Sequence, residues 1–273
     1  RLFQARERMM QRRTALFNQL QDLVFISFPE FLQVVKDVKT KSARHLLQHY
    51  PMPQDILDQG VDPLAFTLKR VSKGKLGIAR AKALYEAAGQ SVGVKEGRIS
   101  VTLEIKAILA DITNCNNLIE LFEKEMARYL EEIPYSRLIL SMKGIGLVTC
   151  AGVIGEVGDF SKFHTQAELL KLAGLNLFEI SSGDHKGNKR ISKRGRSLMR
   201  KLLFFAALNT VRKGGIMHEC YQRHLQKGMK KIKALIAVAR KLLCVIFALV
   251  RKQSKYLENY QEGMIAQQLK KAA

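Results

Sequence analysis

A run of apolar residues spaced three or four apart, from about residue 101 to residue 132, constrains the fold more than any other feature. This spacing places the apolar side chains on one side of an α-helix, and Pro134 ends the helix because proline lacks an amide N–H. The run consists of Ile105, Ile108, Ile112, Cys115, Ile119, Phe122, Met126 and Tyr129. The pattern fits two structures: a helix hairpin buried within one chain, or a coiled-coil arm that joins two chains.

A second apolar stripe begins the chain. Leu2, Met9, Leu16 and Leu23 recur every seven residues, which predicts one helix over residues 1–25. Residues 26–98 contain four of the five prolines, and this punctuation predicts a small insert of short helices. We therefore predict a mainly α chain. Its coiled-coil and helical-insert region, a possible oligomerisation arm, covers residues 1–134, and its second domain covers residues 135–273.

The second domain carries almost all of the positive charge of the chain. From Lys186 to Ala273 there are 22 Lys and Arg residues against three acidic residues, which supplies +19 of the formal net charge of +22. So one-sided a charge attracts polyanions, and we favour nucleic acid over an anionic membrane surface as the partner.

The apolar run 242–250 is too short to span a bilayer, and the four cysteines form no CxxC pair. We expect a cytoplasmic protein without a membrane partner.

Two glycines mark a sharp turn near the start of this domain. Gly144 and Gly146 lie between the apolar segments 138–142 and 147–154, a pattern typical of a helix-hairpin-helix motif. Glycine allows a tight turn and a close approach of the backbone to a phosphate, which N–H groups at the start of the second helix can bind. An ordinary glycine turn between packed helices is the alternative interpretation.

A basic segment follows, and it contains the candidate nucleophile. Residues 181–196 read SSGDHKGNKRISKRGR, and their Gly, Asn and Asp content predicts a β-turn or short hairpin near 178–192. Ser181 and Ser182 precede Gly183 beside many cations, a setting that suits attack on a phosphodiester, although Ser-Ser-Gly is common in loops. The predicted nucleic-acid contacts are Gly144, Gly146, Lys186, Lys189, Arg190, Lys193, Arg194, Arg196 and Arg200.

The sequence shows no pattern typical of a metal site. No set of carboxylates with the spacing of a two-metal centre is apparent. His218 and His224 are six residues apart, whereas the zinc metalloprotease motif places its two histidines four apart. We therefore predict no metal ligands in this chain.

Two segments resemble one family of transposases. Residues 143–176 (KGIGLVTCAGVIGEVGDFSKFHTQAELLKLAGLN) and 181–208 (SSGDHKGNKRISKRGRSLMRKLLFFAAL) are similar to a C-terminal transposase domain. The family is the insertion-sequence family numbered one hundred and ten, which includes the eleven-eleven subgroup and the Piv-type DNA invertases. The resemblance is strongest over residues 135–213, and residues 6–20 fit the coiled-coil region of the family.

The resemblance implies a DNA transposase or site-specific recombinase. Members of the family are similar in having an N-terminal RuvC-like domain, whose DEDD set of acids binds a divalent metal such as Mg²⁺. A serine of the C-terminal domain is their nucleophile, and the matching position here is Ser182, with Ser181 as the fallback. The resemblance also implies a structured noncoding RNA that pairs with the DNA, and a homo-oligomer as the working form.

The chain begins at Arg1, within a helical pattern, and the RuvC-like acids are expected upstream of it. We therefore expect a chain without its metal-binding domain that does not cleave DNA alone. Two other functions stay open. One is a non-catalytic helix-hairpin-helix module that binds nucleic acid, including an inactive transposase remnant; the other is a helical scaffold for oligomerisation.

Overall fold

The computed structural model describes residues 1–179 and 189–257, which contain thirteen α-helices, one 3₁₀ helix and two short strands. The prediction of a mainly α chain is therefore confirmed. The chain divides into two compact units, one of residues Ala5–Leu121 and the other of Arg1–Gln4 together with the chain from Phe122 onward. The predicted domain boundary near Pro134 stays a prediction. Among the described helices, none combines the length and the apolar character needed to cross a membrane.

The unit of residues Ala5–Leu121 is built from two long helices with five short helices between them. Its helices are α1 (Leu2–Ser27), α2 (Pro29–Val34), α3 (Lys41–His49), α4 (Pro53–Gln59), α5 (Val61–Val71), α6 (Ile78–Gly89) and α7 (Arg98–Glu132). Pro29 and Pro53 each begin a short helix, a position where the missing N–H would have had no partner within the helix. The short helices predicted from the prolines are present, and their interpretation as an insert stays a prediction.

The apolar faces of α1 and α7 are buried in one hydrophobic cluster of this unit. Leu20 of α1 and Ile105 of α7 are both fully buried in it. Beside the cluster, the Arg13 guanidinium donates a hydrogen bond of 2.6 Å to the Asn116 side-chain oxygen. This face of α7 thus packs within the chain, as in the helix-hairpin alternative. Coiled-coil association between two chains stays a prediction.

The second unit is organised around α13, whose apolar side is fully buried over several turns. Val238, Leu242 and Ile246 lie one helical turn apart and have no exposed surface. Around α13 pack α8, α10, α11 and α12, while α9 packs against α8 and α11. The bounds are α8 (Ser136–Leu140), α9 (Leu147–Val157), α10 (Gln166–Leu172), α11 (Ser197–Thr210), α12 (His218–Gln226) and α13 (Lys231–Lys252), with the 3₁₀ helix at Phe160–Lys162.

Two short strands of this unit, β1 (Leu177–Phe178) and β2 (Arg190–Ile191), pair in antiparallel fashion. Leu177 lies opposite Ile191, and Phe178 lies opposite Arg190. The pair confirms the two strands of the hairpin predicted near 178–192. The turn itself falls on residues 180–188, which lie outside the described residues.

Candidate nucleic-acid interface

The basic segment from Lys189 to Arg196 contains β2 and leads into α11, and hydrogen bonds to the end of α10 and the loop after it hold its backbone in place. Three amides of the segment donate hydrogen bonds to carbonyl oxygens at the end of α10 and in the loop after it. The pairs are Ser192 to Asn176 at 2.9 Å, Lys193 to Gly174 at 3.0 Å and Arg196 to Leu172 at 2.8 Å. The Ser192 hydroxyl adds a 2.5 Å hydrogen bond to the side-chain oxygen of Asn176. The segment is therefore anchored at several points rather than only at its ends.

Gly195 and Arg200 hold the end of this segment in a fixed conformation. Gly195 has a φ of 149°, and a Cβ there would lie 2.4 Å from the carbonyl oxygen of Leu172 and 2.6 Å from the amide nitrogen of Gly174. Backbone atoms cannot give way at such distances, so only glycine fits. From α11, the Nη1 of Arg200 donates to the carbonyl oxygens of Ala173 at 3.0 Å and Gly195 at 3.1 Å. These bonds give Arg200 a structural role, and its predicted contact with nucleic acid stays a prediction.

Arg196 pairs with a buried carboxylate. Its Nη1 lies 3.7 Å from the Oε2 of Glu156 in the last turn of α9. Gln4 donates a 3.4 Å hydrogen bond to the other oxygen of that carboxylate. The sequence pattern does not distinguish Glu156 from other acids near helix ends. Only its position could have marked Glu156 as a partner for a cation, because the helix dipole disfavours an acid in the last turn of a helix.

Three basic side chains of the segment have no such partner. Arg190, Lys193 and Arg194 are exposed and form no ion pair or side-chain hydrogen bond within the described part of the chain. Lys189 differs, because its Nζ lies 3.8 Å from the carboxylate of Glu179. That exposed pair is weak and leaves Lys189 accessible. At Arg190, Lys193 and Arg194 the segment thus presents cations on a fixed backbone, and among the described residues no carboxylate pairs with these three.

The two glycines of the predicted phosphate-binding turn differ in backbone conformation and in surroundings. Gly144 has a φ of 96°, and a Cβ there would lie 3.0 Å from the Cγ2 of Thr210, so its conformation favours glycine. Gly146 has ordinary extended angles (φ −90°, ψ 171°) and is the N-cap of α9, where no side chain caps the helix. It is exposed, and no atom lies near its missing Cβ. The first amides of α9 therefore lack a side-chain acceptor, while the helix-hairpin-helix interpretation stays a prediction.

The candidate nucleophile Ser182, its fallback Ser181 and the predicted contact Lys186 lie outside the described residues. In the sequence they fall between β1 and β2. Within residues 1–179 and 189–257, no group of three or more His, Cys, Asp and Glu side chains could hold a metal ion. The divalent cation implied by the resemblance stays an expectation.

Comparison with known proteins relates the chain to insertion elements. Residues 136–222 match the family model described as the transposase IS116/IS110/IS902 family. The 43.6 kDa protein of insertion element IS110 from Streptomyces coelicolor is 24% identical over 219 residues, which cover 80% of this chain and 54% of the relative. The transposase for IS1111A of Coxiella burnetii is 27% identical over 165 residues (58% and 45%). The pilin gene-inverting protein of Moraxella lacunata is 29% identical over 135 residues (48% and 42%).

The family match covers the parts of the second unit that carry the predicted interface. It begins at the first residue of α8, includes the glycine turn, both strands, the basic segment and α11, and ends within α12. The chain spans about half the length of the curated relatives it matches. Over residues 136–222 the chain is therefore similar to transposases of the IS116/IS110/IS902 family.

Proposed function

We propose that this chain is the strand-exchange part of a DNA transposase or site-specific recombinase, with Ser182 as its nucleophile. One observation carries the proposal: Arg190, Lys193 and Arg194 are exposed, lack partners within the described residues, and stand on a backbone anchored to the loop after α10. Cations held without a counter-charge suit a polyanion, because phosphates release bound counterions when they meet such cations. The position of this segment within the transposase family match supports DNA as that polyanion.

In the proposed reaction, the Oγ of Ser182 attacks the phosphorus of the scissile phosphodiester. The Oγ–P bond forms and the P–O bond to one sugar breaks; the serine proton passes to water, and the leaving sugar oxygen takes up a proton. The intermediate is a phosphodiester that joins Ser182 to one strand end. A hydroxyl of a second strand then loses its proton to water and attacks the phosphorus; the new P–O bond forms, the Oγ–P bond breaks, and the Oγ of Ser182 regains a proton. Lys193 and Arg194 would stabilise the negative charge that develops on the phosphate oxygens, and Lys189 and Arg190 would hold the adjoining backbone.

Further parts of the proposal rest on the resemblance to the family and concern partners of the chain. They are a structured noncoding RNA that pairs with the DNA, a homo-oligomer, and Mg²⁺ held by a RuvC-like domain. With those partners the proposed site of action is the cytoplasm, and the chain by itself binds DNA without cleaving it. The uncapped start of α9, beside Gly144 and Gly146, would bind a neighbouring phosphate through backbone amides.

Binding is tested by electrophoresis of this chain with duplex DNA and structured RNA over a series of salt concentrations. Replacing Lys193 and Arg194 with Gln should weaken binding about tenfold or more at moderate salt. The slope of log affinity against log salt concentration should become shallower by about two, because two phosphate contacts are lost. The matched control replaces Lys82 and Lys106, two exposed lysines of the other unit, with Gln. An equal loss in both variants would show that overall charge, not this segment, governs binding.

Covalent chemistry is tested with end-labelled DNA and this protein in the presence of the proposed RuvC-like domain, Mg²⁺ and RNA. Wild-type protein should retain labelled DNA on a denaturing gel, and the S182A variant should bind DNA but retain none. The S181A variant is the matched control and should form the adduct. An adduct that disappears in S181A and persists in S182A would show that Ser181, not Ser182, is the nucleophile. Binding without an adduct in the wild type would favour the non-catalytic nucleic-acid module.

A further inference from the structure

A second basic surface lies in a cleft of about 430 Å³ formed by α10, α12 and α13. Five basic residues line it: Arg223, His224, Lys227, Arg240 and Lys241. No acidic residue lines this cleft, and the five residues form no ion pair within the described part of the chain. None of them belongs to the basic segment 189–196.

The sequence spacing explains why these side chains converge. On α12, Arg223 and His224 are adjacent, and Lys227 follows one turn after Arg223. On α13, Arg240 and Lys241 are adjacent, and Cys244 follows one turn after Arg240. Both helices therefore direct a basic pair to the same cleft, where α12 packs against α13.

The helix dipole accounts for only two of the five basic residues. Arg223 and His224 lie in the last turn of α12, where the helix dipole favours cations. Arg240 and Lys241 lie in the middle of α13, where the dipole has no such effect. The Nε of Arg240 is buried and has no hydrogen-bond partner within the described residues. An unpaired buried donor beside uncompensated cations indicates that an anion belongs in this cleft.

We propose that this cleft binds a backbone phosphate of a nucleic-acid strand, as a contact separate from the basic segment 189–196. The proposal rests on the proposed function, because it extends the nucleic-acid footprint to a second part of the same unit. All five basic residues follow residue 222, so they lie outside the segment that the transposase family model matches. The cleft is lined by cations and offers no carboxylate that would repel an anion, so the contact that we propose is with phosphate charge and positions the strand.

The cysteines of the chain provide a direct readout of occupancy. Cys220 and Cys244 line the cleft and are partly exposed, whereas Cys115 and Cys150 are buried. Iodoacetamide alkylation of each cysteine is followed by mass spectrometry, with and without a short duplex DNA or a structured RNA. We expect nucleic acid to slow alkylation of Cys220 and Cys244 about fivefold or more, because a bound phosphate covers the thiols and cancels the field of the nearby cations. Cys115 and Cys150 should react slowly under all conditions and so report on the fold.

Variants assign the protection to the cleft. Replacing Lys227 and Lys241 with Gln changes two exposed cleft residues, so the fold should be retained and protection of the cleft cysteines should be lost. The matched control replaces Lys231 and Lys233, which are exposed and do not line the cleft, and it should retain protection.

The outcomes separate this proposal from the proposed function. In one outcome, DNA binding depends on Lys193 and Arg194 while both cleft cysteines stay unprotected. That result would contradict the proposed phosphate contact in the cleft and leave the proposed function in place. Complete absence of binding at low salt would overturn both. Protection by millimolar inorganic phosphate but not by either nucleic acid would show a small-anion pocket and overturn the strand contact.

Discussion

The Nη1 of Arg196 lies 3.7 Å from the Oε2 of Glu156, whose side chain is only 6% exposed, whereas that of Arg196 is 49% exposed. The two partners therefore depend on the pair unequally. Water can solvate the guanidinium if the carboxylate is removed. The carboxylate keeps only the 3.4 Å hydrogen bond from Gln4 if the guanidinium is removed.

Replacing Arg196 with Gln should therefore destabilise the protein more than replacing Glu156 with Gln. We expect R196Q to lower the free energy of unfolding by about 1–3 kcal/mol, because a buried carboxylate loses a partner. E156Q should cost less than about 1 kcal/mol, because it leaves only an exposed cation. Urea unfolding of the two variants measures both values. Equal losses, or a larger loss for E156Q, would contradict the dependence of the buried carboxylate on Arg196.

Replacing Gly195 with Ala should be strongly destabilising. Its Cβ would lie 2.4 Å from the carbonyl oxygen of Leu172, and we expect a loss of about 3 kcal/mol as the basic segment is displaced. The matched control is Gly155, an exposed glycine within α9 with no atom near its missing Cβ. G155A should stabilise the same unit by about 0.5–1 kcal/mol through helix propensity. Thermal unfolding of both variants measures the two effects. If G195A has the stability of wild type, the segment does not pack tightly against Leu172.

Replacing each glycine of the turn with Ser should have opposite effects. G144S should cost about 1–2 kcal/mol, because residue 144 has a positive φ and abuts Thr210. G146S should stabilise α9 by a few tenths of a kcal/mol, because serine is a better N-cap in this extended conformation. The capped amides would then be less available to phosphate, so G146S should also weaken DNA binding. Unchanged DNA affinity in a stable G146S protein would favour the ordinary glycine turn.

Cys150 should make stability depend on alkaline pH. Burial raises the pKa of its thiol to about 12. An unfolded thiol ionises near pH 8.5, so above that pH the unfolded state gains from ionisation and the folded state does not. The contribution of Cys150 to the free energy of unfolding should fall by about 1.4 kcal/mol per pH unit between about pH 9 and pH 12 and should be constant at lower pH.

The C150A variant isolates this effect from other titrating groups. It should be less stable than wild type at neutral pH, because a small cavity replaces the buried sulfur, and the difference should shrink as the pH rises above 9. Urea unfolding at neutral pH and at about pH 10.5 measures the change. C220A removes a partly exposed thiol and should keep the wild-type slope. A constant difference between wild type and C150A at both pH values would argue against the raised pKa.

The helices could be predicted because their patterns are local. The three-and-four spacing predicted a helix from about residue 101 to Glu132, and α7 covers Arg98–Glu132. The prolines and glycines predicted the short helices, and the turn residues predicted the strands that pair Phe178 with Arg190. Each of these patterns depends on neighbours in the chain, so the sequence contains all the information that is needed.

The candidate site was only partly predictable, for the opposite reason. The sequence placed Arg190, Lys193, Arg196 and Arg200 in one basic group. The structure leaves the first two without partners in its described part, pairs Arg196 with Glu156, and gives Arg200 a role in holding the chain at Gly195. Basic residues that carry equal charge in the sequence therefore differ in how accessible their side chains are to a ligand in the folded unit.

The sequence by itself determined the helical class, the concentration of charge after Lys186 and the family resemblance, because periodicity, composition and motif spacing are properties of neighbouring residues. The tertiary structure alone decided which cations are paired with the protein, which glycine needs its conformation, and how α12 and α13 combine their bases in one cleft. Those features join residues far apart in the chain. Their geometry depends on how whole helices pack, and no local pattern specifies that packing.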